Sequence, residues 1–434
     1  MMRSMYSGVS GLRIHQTKMD VIGNNIANVN TVGFKSSRVT FSEVFSQTIQ
    51  GASGANENTG GTNPMQIGLG AGISSIDIDM GEGAAQRTDN PLDLKIEGDG
   101  FFVVSDATGN KFSRAGAFRL DEAGNLVTPD GKNVMGWYPD PNTGLIAKNS
   151  VEKLQILSPD NLYSEPTSTT DVTMSGNINK NDAQLAPANG GVPFTTNIYD
   201  SLGYPYTVEM TLEETIDPNT FNVVLLADSV TDQTGTTINN AGIGAGTVQA
   251  VFDPSTGKVT NVPSTFDIAG LNTGFSTFPA AGVTADFGSI TLFSGNTTIE
   301  ATAGDKNSLG AGNKAGSISG YEIGGDGQIL GRYTNGESKL LGQIVIATFQ
   351  NPAGLQKVGS NLFEATNNSG VFDGIGENIT ASGGSFNAGV LEMSNVDLSR
   401  EFTEMITTQR GFQANSRIIT TSDEILQELV NLKR

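Results

Sequence analysis

The C-terminal part of the chain carries a row of mostly apolar side chains at alternating intervals of four and three. The row consists of Leu398, Phe402, Met405, Gln409, Phe412, Ser416, Ile419, Asp423, Leu426 and Val430, of which seven are apolar. This spacing is typical of a coiled-coil seam and narrower than the stripe of a helix on a globular core. It predicts one helix from Asp397 to Leu432, roughly 54 Å long at about 1.5 Å per residue. Asp397 or Ser399 is expected to cap its first turn, with Lys433 and Arg434 after its last.

A second row of apolar side chains lies at the opposite end of the chain, within residues 1–30. It consists of Met5, Val9, Leu12, Met19, Ile22, Ile26 and Val29. Intervals of three, four or seven indicate one face of a helix. Gly8, Gly11 and Gly23 each weaken this helix by about 1 kcal/mol relative to Ala, so it should be marginal alone. We therefore expect the isolated monomer to have disordered ends.

Two interpretations of these terminal rows are open. Amphipathic helices docked on the protein's own core would show a similar period. The length and narrowness of the C-terminal row favour helices that pair as in a coiled coil and associate with copies of the same chain. The inter-subunit seam would then consist of Met5, Val9, Leu12, Met19, Ile22 and Ile26 in the first helix and Leu398, Phe402, Met405, Phe412, Ile419, Leu426 and Val430 in the second.

Between the ends, the apolar period becomes two, which is the period of β-strands. Alternation begins at Ile76 and resumes late in the chain. This rhythm predicts an antiparallel β domain made of residues 76–147 and 313–364. The stretch between them, 148–312, has its own alternation, for example at 207–213, and is predicted to be a second β domain inserted into the first.

The predicted fold class is α+β. Long terminal helices, residues 1–30 with 395–434, form a coiled-coil-like pair, and the two nested β domains are mainly antiparallel. Residues 31–75 and 365–394 connect the helices to the first β domain. Residues 51–61 are mostly Gly, Ala, Ser, Asn and Thr, so the first connector is interpreted only as a flexible linker.

Composition narrows the class of partner. The net charge of −20 argues against nucleic acid, because phosphate binding needs clustered Lys and Arg. The two ends, residues 1–45 and 394–434, together carry +2, which leaves −22 for the middle. Near-neutral ends can pack closely with copies of themselves, while an acidic middle keeps the exterior soluble. Glycine, at 55 of 434 residues, is well above the usual share of about 7% and favours a loop-rich β protein.

The sequence offers little for catalysis or metal binding. It has no cysteine and one histidine, His15, within the predicted N-terminal helix. Thiolate chemistry and an H-E-x-x-H zinc motif are thereby excluded. We expect no enzyme, no cofactor and no metal. The pairs Asp77 with Asp79 and Glu97 with Asp99 have calcium-type ligands, but alternating acids on a strand usually form its solvated face.

The sequence also bears on membranes and export. It contains no run of 18 or more apolar residues, so no transmembrane helix is expected. The N-terminus lacks the compact apolar stretch and small-residue cleavage site of a secretory signal peptide. Export, if it occurs, is expected to use a route that does not read a cleaved signal.

The two ends also carry recognisable motifs. Residues 24–35 read Asn-Asn-Ile-Ala-Asn-Val-Asn-Thr-Val-Gly-Phe-Lys, and residues 408–417 read Thr-Gln-Arg-Gly-Phe-Gln-Ala-Asn-Ser-Arg. With residues 7–12 and 394–399, they resemble the signature of the bacterial flagellar axial proteins, the family of rod, hook and hook-associated subunits. The extension 420–432 resembles the hook branch in particular. The motif residues are Asn24, Asn25, Asn28, Asn30, Gly33, Phe34, Gln409, Arg410, Gly411, Asn415 and Arg417.

The resemblance implies a structural, self-assembling subunit. Many copies would form a hollow helical tube, with the paired terminal helices lining the channel, the first β domain in the wall and the inserted domain outside. In the hook branch, such a tube is a flexible universal joint that passes torque from motor to filament. The implied partners are other copies, the distal rod protein, the hook cap protein and the hook–filament junction protein. The implied location is extracellular, on the flagellum, reached by type III export without a cleaved signal peptide; no nucleic acid and no membrane insertion are implied.

Three alternatives compete with this hypothesis. A distal rod subunit shares both end motifs but is expected to be shorter and to lack a large inserted domain such as 148–312. A secreted β-rich adhesin or surface protein with helical anchors would keep a binding-competent middle if Phe412 or Leu426 were replaced by Asp. An enzyme is the third alternative, and a hydrolase screen of the monomer tests it.

Overall fold

The structure, a computed structural model, describes residues 2–55, 60–141, 143–237, 247–260, 264–266 and 282–432. Lys433 and Arg434, which the sequence places after the C-terminal helix, lie outside these residues. The chain forms two compact units: unit 1 comprises residues 1–158, 321–330 and 340–434, and unit 2 comprises residues 159–320 and 331–339.

Both predicted terminal helices are present in unit 1. Helix α1 spans Met2–Ala27 and helix α2 spans Leu398–Asn431. Asp397, one of the two predicted capping residues, caps α2, because its carboxylate accepts hydrogen bonds from two backbone N–H groups of the first turn at 2.9 and 3.3 Å. Helix α1 ends where the sequence becomes rich in asparagine. There the side chain of Asn28 donates to the carbonyl oxygen of Asn24 at 2.9 Å, a local bond that competes with continuation of the helix.

The strands are mostly short, and their bounds follow in chain order. Before residue 159 they are β1 (Ser37–Glu43), β2 (Ser46–Gln50), β3 (Met65–Gly68), β4 (Ala71–Ile78), β5 (Ala85–Arg87), β6 (Leu94–Glu97), β7 (Phe101–Asp106), β8 (Gly109–Ser113), β9 (Arg119–Leu120), β10 (Leu126–Val127), β11 (Asn133–Trp137) and β12 (Glu152–Lys153). The next are β13 (Tyr163–Ser164), β14 (Asp171–Asn177), β15 (Val192–Tyr199), β16 (Pro205–Glu214), β17 (Thr220–Thr231), β18 (Thr247–Val251), β19 (Ser264–Phe266), β20 (Val283–Thr291) and β21 (Thr298–Ala303). The last are β22 (Gly316–Ile323), β23 (Gln328–Tyr333), β24 (Ser338–Ile344), β25 (Ile346–Ala347), β26 (Gln356–Gly359), β27 (Leu362–Glu364), β28 (Ser385–Ala388) and β29 (Val390–Glu392).

Unit 1 contains an antiparallel sheet with the strand order β24, β11, β7, β8, β27, β26. Its buried side chains include Phe101, Val103, Phe112, Trp137, Val345 and Phe363. The indole N–H of Trp137 donates to the carbonyl oxygens of Asn149 and Ile375 at 2.9 and 3.0 Å, which satisfies the polar atom of the largest core residue. Separately, β28 pairs with β6 and β29 pairs with β5, so the chain leading into α2 is joined to strands from the N-terminal half.

The connector at residues 36–75 is more ordered than a linker, which corrects the interpretation from sequence. Strand β1 pairs with β4, from Ser37 opposite Ile78 to Glu43 opposite Ala71, and β2 pairs with β3. Strands β2 and β3 are exposed along their whole length. They pair through the backbone and leave Ile49, Met65 and Ile67 exposed, so the pairing buries no face, and the alternation of Met65 and Ile67 is too short to indicate a strand alone.

Unit 2 is a sandwich of two four-stranded sheets. One has the order β15, β16, β17, β18 and is antiparallel; the other has the order β19, β20, β14, β21, with β14 and β20 parallel. Side chains from both sheets form one core, including Met174, Phe194, Leu212, Phe221, Ala250 and Phe287. This packing of two inner faces is the usual way for sheets to bury their apolar sides. The α+β class is thus confirmed, while the predicted four-part division of the chain stays a prediction.

Candidate assembly site

Helices α1 and α2 pack against each other in antiparallel directions. Gly8 of α1 lies beside Ile419 of α2, and near the other end of α1 the side chain of Asn25 donates to Glu401 at 3.2 Å. The contact face of α1 consists of Gly8, Gly11, His15, Lys18, Ile22 and Asn25, and the facing positions of α2 include Glu401, Glu404, Thr408, Gly411, Asn415 and Ser422. Nearly all of these residues are small or polar. The contact between the helices is therefore made by these small and polar residues and not by the two apolar rows predicted from the sequence.

Glycines set the separation of the two helices. A Cβ atom on Gly11 would lie 2.5 Å from the side-chain nitrogen of Asn415, and one on Gly411 would lie 2.7 Å from Nε2 of His15. Both distances are below normal van der Waals contact, so a larger residue at either position forces a neighbour to move. The motif residues Gly411 and Asn415 thus act within the helix pair.

The predicted seam residues lie mostly beside this contact face or away from it. Ile22 is buried in the pair. Half-buried positions are Met5, Leu12, Met19, Ile26, Met405, Phe412, Ile419 and Leu426. Exposed positions are Val9, Leu398, Phe402 and Val430, together with Tyr6, Ile406, Ile418, Ile425, Leu429 and Leu432, which the predicted seam omits. Their role between subunits stays a prediction, because the structure contains one chain.

The end of α2 extends past the start of α1. Because the helices are antiparallel with Gly8 beside Ile419, Met2 falls near residue 424, and α2 continues for about two further turns. We call residues 425–432 the overhang. Its exposed apolar side chains are Ile425, Leu429, Val430 and Leu432, of which Val430 is 69% exposed. The described part of α1 does not extend far enough to cover them.

At the other end of the pair, α1 leads into residues 32–37, which we call the root. The side chain of Asn25 pairs with Ser37 as a strand neighbour would, donating to its carbonyl at 2.8 Å and accepting from its N–H at 3.0 Å. The side chain of Asn395 accepts from the N–H of Ser36 at 2.8 Å. Asparagines from both chain ends therefore satisfy the backbone of the root, and Asn25 is 1% exposed.

Two further motif residues fix the path of the root. Gly33 has a φ of +69°, and a Cβ atom there would lie 2.6 Å from the backbone nitrogen of Ala115. Only glycine fits both the left-handed conformation and the close approach. Phe34 is buried, and the ammonium of Lys357 lies 4.7 Å from its ring centroid. The motif glycine and phenylalanine thus seat the root on the β strands of unit 1.

Three charged side chains are buried beside the root, and sequence reasoning missed their association. Lys35, Glu392 and Arg114 are 1%, 0% and 3% exposed. The Lys35 ammonium lies 2.7 Å from Oε1 of Glu392, and a guanidinium nitrogen of Arg114 lies 3.7 Å from its Oε2. Burial lowers the pKa of both Lys35 and Arg114, and the charge of Glu392 opposes that shift. The available signal was a charge inside an apolar run: Lys35 follows Val32-Gly33-Phe34, and Glu392 stands between Leu391 and Met393.

Of the remaining motif residues, some lie at the end of α1 and the others are exposed to solvent. The carboxamide oxygen of Asn24 accepts from the side chain of Asn28 at 3.0 Å, at the end of α1, and Asn30 is exposed. Gln409, Arg410 and Arg417 are exposed on α2. Because these side chains lie outside the contact face of the helix pair, they are free to contact a neighbouring subunit.

In the described part of the chain, the carboxylate pairs considered for calcium belong to no larger group of potential metal ligands. Asp77 lies 3.9 Å from the guanidinium of Arg38. Among the described residues, no group of three or more His, Cys, Asp and Glu side chains is arranged to hold a metal ion. No helix described here is long and apolar enough to cross a membrane.

The position of His15 predicts an acid-sensitive helix pair. Burial lowers the pKa of His15 below the ordinary 6.5, and the nearby charge of Lys18 lowers it further. Nδ1 of His15 has no hydrogen-bond partner, Lys18 is itself paired with Glu404 at 3.2 Å, and the neighbour from β1 is the uncharged ring of Phe41. Because the unfolded chain takes up this proton at about pH 6.5 and the folded chain only at lower pH, stability is full above that pH and decreases below it.

This dependence is measured by the helical circular dichroism signal during thermal unfolding between pH 7.5 and 5.5. The chain should lose melting temperature on acidification, and a His15→Gln variant should lose less. Glu401, whose pKa burial raises, is common to both proteins, so their difference isolates His15. Equal slopes for the two proteins would contradict the prediction.

Comparison with known proteins adds family information to this geometry. Models of four domains match: Flagella basal body rod protein at residues 5–35, Flagellar hook protein FlgE/F/G D1 domain at 95–180, Flagellar basal body protein FlaE D2 domain at 161–305, and Flagellar basal body rod FlgEFG protein C-terminal at 387–432. The two terminal models cover residues 32–35 of the root, Glu392 and nearly all of both helices.

Whole-chain relatives agree with these models. The chain is 39% identical to the flagellar hook protein FlgE of Borreliella burgdorferi and 36% identical to that of Treponema pallidum, in each case over 100% of both chains. It is 33% identical to the flagellar basal-body rod protein FlgG of Bacillus subtilis, again over 100% of both.

Proposed function

The chain belongs to the flagellar hook protein family, a family of structural subunits rather than enzymes, and we propose that it builds the hook by packing its helix pair against the pairs of other copies. Family membership makes it a subunit of a homopolymer in the flagellar hook. The proposal concerns which surfaces make the polymer.

The observation that carries the proposal is the exposed apolar surface of α2. Phe402 and Ile406 are close to half exposed on the side of α2 away from α1, and Ile425 and Leu429 are close to half exposed on the overhang, beyond the start of α1. Helices in water bury apolar side chains against a partner, and the described residues of the same chain leave both groups of side chains about half exposed. The helices of neighbouring copies supply a matching surface, in the manner of a coiled coil.

We assign the remaining parts by their place in the chain. The helix pair would line the channel of a hollow tube, the predicted first β domain would form its wall and the predicted inserted domain its outer surface. An outer surface with few charges, rich in Gly, Asn and Thr, favours weak contacts that are exchanged as the tube bends. The tube would then pass torque while flexing, as a universal joint.

Further partners follow from a place between motor and filament. The proposed neighbours are the distal rod protein, the hook cap protein during growth and the hook–filament junction protein. We also propose an extracellular location reached by flagellar type III export without a cleaved signal peptide. Terminal helices that are marginal alone suit passage of an unfolded chain through a narrow channel.

A second candidate is a rod subunit, which the Bacillus subtilis relative favours. That relative is named a rod protein and spans the whole chain, so the presence of unit 2 does not by itself separate rod from hook. The higher identity to two hook proteins favours the hook.

Electron microscopy of the concentrated full-length protein tests both candidates. Curved tubes are expected for a hook subunit and straight tubes for a rod subunit. If no tubes form, or if removal of both terminal helices leaves polymerisation unchanged, the proposed assembly is wrong.

A further inference from the structure

We propose that the buried ion cluster of Lys35, Arg114 and Glu392 couples the two chain ends. We call this cluster the charge latch: each chain end docks on the β strands of unit 1 more stably when the other is docked. Lys35 belongs to the root that follows α1. Glu392 is the last residue of β29 and precedes Asp397, the cap of α2, in the chain. Arg114 directly follows β8 of unit 1. The inference concerns the folding of a single chain and goes beyond tube assembly.

The geometry places Glu392 at the centre of the latch. Its Oε1 lies 2.7 Å from the Lys35 ammonium and accepts the N–H of Gly83 at 2.9 Å. The Lys35 ammonium also donates to the carbonyl oxygen of Gly81 at 2.7 Å. The backbone is joined at the same place, since the N–H of Gly33 donates to the carbonyl oxygen of Glu392 at 2.8 Å. A carboxylate from one chain end thus completes the polar contacts of a lysine from the other.

The latch contains two buried cations and one buried carboxylate. Loss of the carboxylate should therefore cost more than loss of one cation. Two cations share one carboxylate, and Oε2 of Glu392 and two guanidinium nitrogens of Arg114 have no hydrogen-bond partner. Two further carboxylates act on the cations, Glu82, which pairs with Lys95 at 3.5 Å, and Asp99; both are exposed, so water screens their charges more than that of Glu392. Without Glu392, Lys35 and Arg114 are two like charges held out of water. Without Lys35, Glu392 loses its 2.7 Å ion pair and keeps Arg114 only at 3.7 Å, which is a smaller penalty than two unpaired cations.

An ordinary buried ion pair affects stability only locally, whereas the latch is expected to transmit the effect from one chain end to the other. Buried ion pairs contribute little net stability on average, but removal of one partner is costly because it leaves an uncompensated charge. In the latch, that penalty links two chain segments more than 350 residues apart, Lys35 and Glu392. Opening of one end should therefore loosen the other. This link suits a protein whose two ends must be ordered together.

Amide hydrogen exchange on the full-length chain, below the concentration at which it polymerises, tests the latch. In Lys35→Met, exchange at residues 390–396 should accelerate at least about tenfold, although the substitution lies at the other chain end. In Glu392→Gln, exchange at residues 33–37 should accelerate more strongly, because two buried cations are left.

The decisive comparison is the double variant K35M/E392Q. Lys35→Met accelerates exchange in the natural background, but in the Glu392→Gln background it removes one of two repelling cations and should slow exchange again. Simple loss of packing would accelerate exchange in both backgrounds, so an additive result overturns the proposal. If E392Q does not fold, K35M alone decides through residues 390–396, where unchanged exchange overturns the latch.

Lys111→Met is the matched control. Lys111 is largely buried and pairs with Glu364 at 3.0 Å, in unit 1 and outside the latch. The variant removes the lysine of a Lys–Glu pair whose glutamate is 48% exposed, so exchange at 33–37 and 390–396 should stay unchanged. Equal acceleration in this control would show general destabilisation of unit 1 and would overturn the specific coupling.

Discussion

Replacement of Gly33 by Ala is expected to lower the free energy of unfolding of unit 1 by about 2–4 kcal/mol, the largest effect of any single methyl group considered. A left-handed backbone costs a non-glycine residue roughly 1–2 kcal/mol, and Gly33 has a φ of +69°. The added Cβ atom would also lie 2.6 Å from the nitrogen of Ala115 and 2.8 Å from the carbonyl carbon of Arg114. Those are backbone atoms, which cannot rotate away as a side chain does, so the root must shift.

Gly23→Ala is the matched control for this prediction. Gly23 lies inside α1, and a Cβ atom there meets nothing within 4 Å. The same chemical change should therefore stabilise the helix by about 0.5–1 kcal/mol. Denaturant unfolding followed by circular dichroism measures both variants. Effects of the same sign would show that the conformation at Gly33 is not the cause.

The second large effect is expected on polymerisation rather than folding. Replacing Ile425 and Leu429 together by Asp should raise the concentration needed for tube formation by roughly 10- to 100-fold, or abolish it. The two side chains are 46% and 49% exposed on the overhang, so the single chain loses little when they change. Burial of such side chains in a neighbour contributes about 1 kcal/mol or more each, and the added carboxylates resist burial.

Sedimentation of polymer and electron microscopy give the critical concentration, and thermal unfolding of the monomer verifies the fold. Gln427→Asp with Asn431→Asp is the matched control, since it adds the same two charges to the same turns and removes no apolar side chain. Both control positions are exposed. If the control impairs assembly equally, repulsion rather than apolar contact is responsible, and if neither variant impairs it, the overhang is not an assembly surface.

The sequence predicted those elements whose signal is local and periodic. The four-and-three row of α2, its cap at Asp397 and the alternation in the β strands all report on neighbours a few residues apart. The rows of large apolar residues predicted that two helices exist. They did not identify the face that joins them, because Gly8, Gly11, Gly411 and Asn415 contribute through smallness and hydrogen bonding rather than hydrophobicity.

The missed parts of the site depend on contacts between distant residues. Nothing in the period around Lys35 indicates that Glu392 lies 2.7 Å from its ammonium. Strands β2 and β3 were missed for another reason, since they are short, pair through the backbone and bury no face, although Ile49, Met65 and Ile67 are apolar. The motif at 24–35 marked the right region, but the reason for Asn25 and Gly33 becomes visible only when the opposite chain end is beside them.

The antiparallel course of α1 and α2 has a practical consequence for labelling. Met2 and the last turns of α2 lie at the same end of the helix pair, far from the root. A peptide tag fused to either terminus would therefore lie beside the same end of the two helices. The hairpin turn between β16 and β17 is a better place for an insertion, because Ile216 there is fully open to solvent. Epitopes or dye-binding peptides placed in that turn should leave the helical ends free.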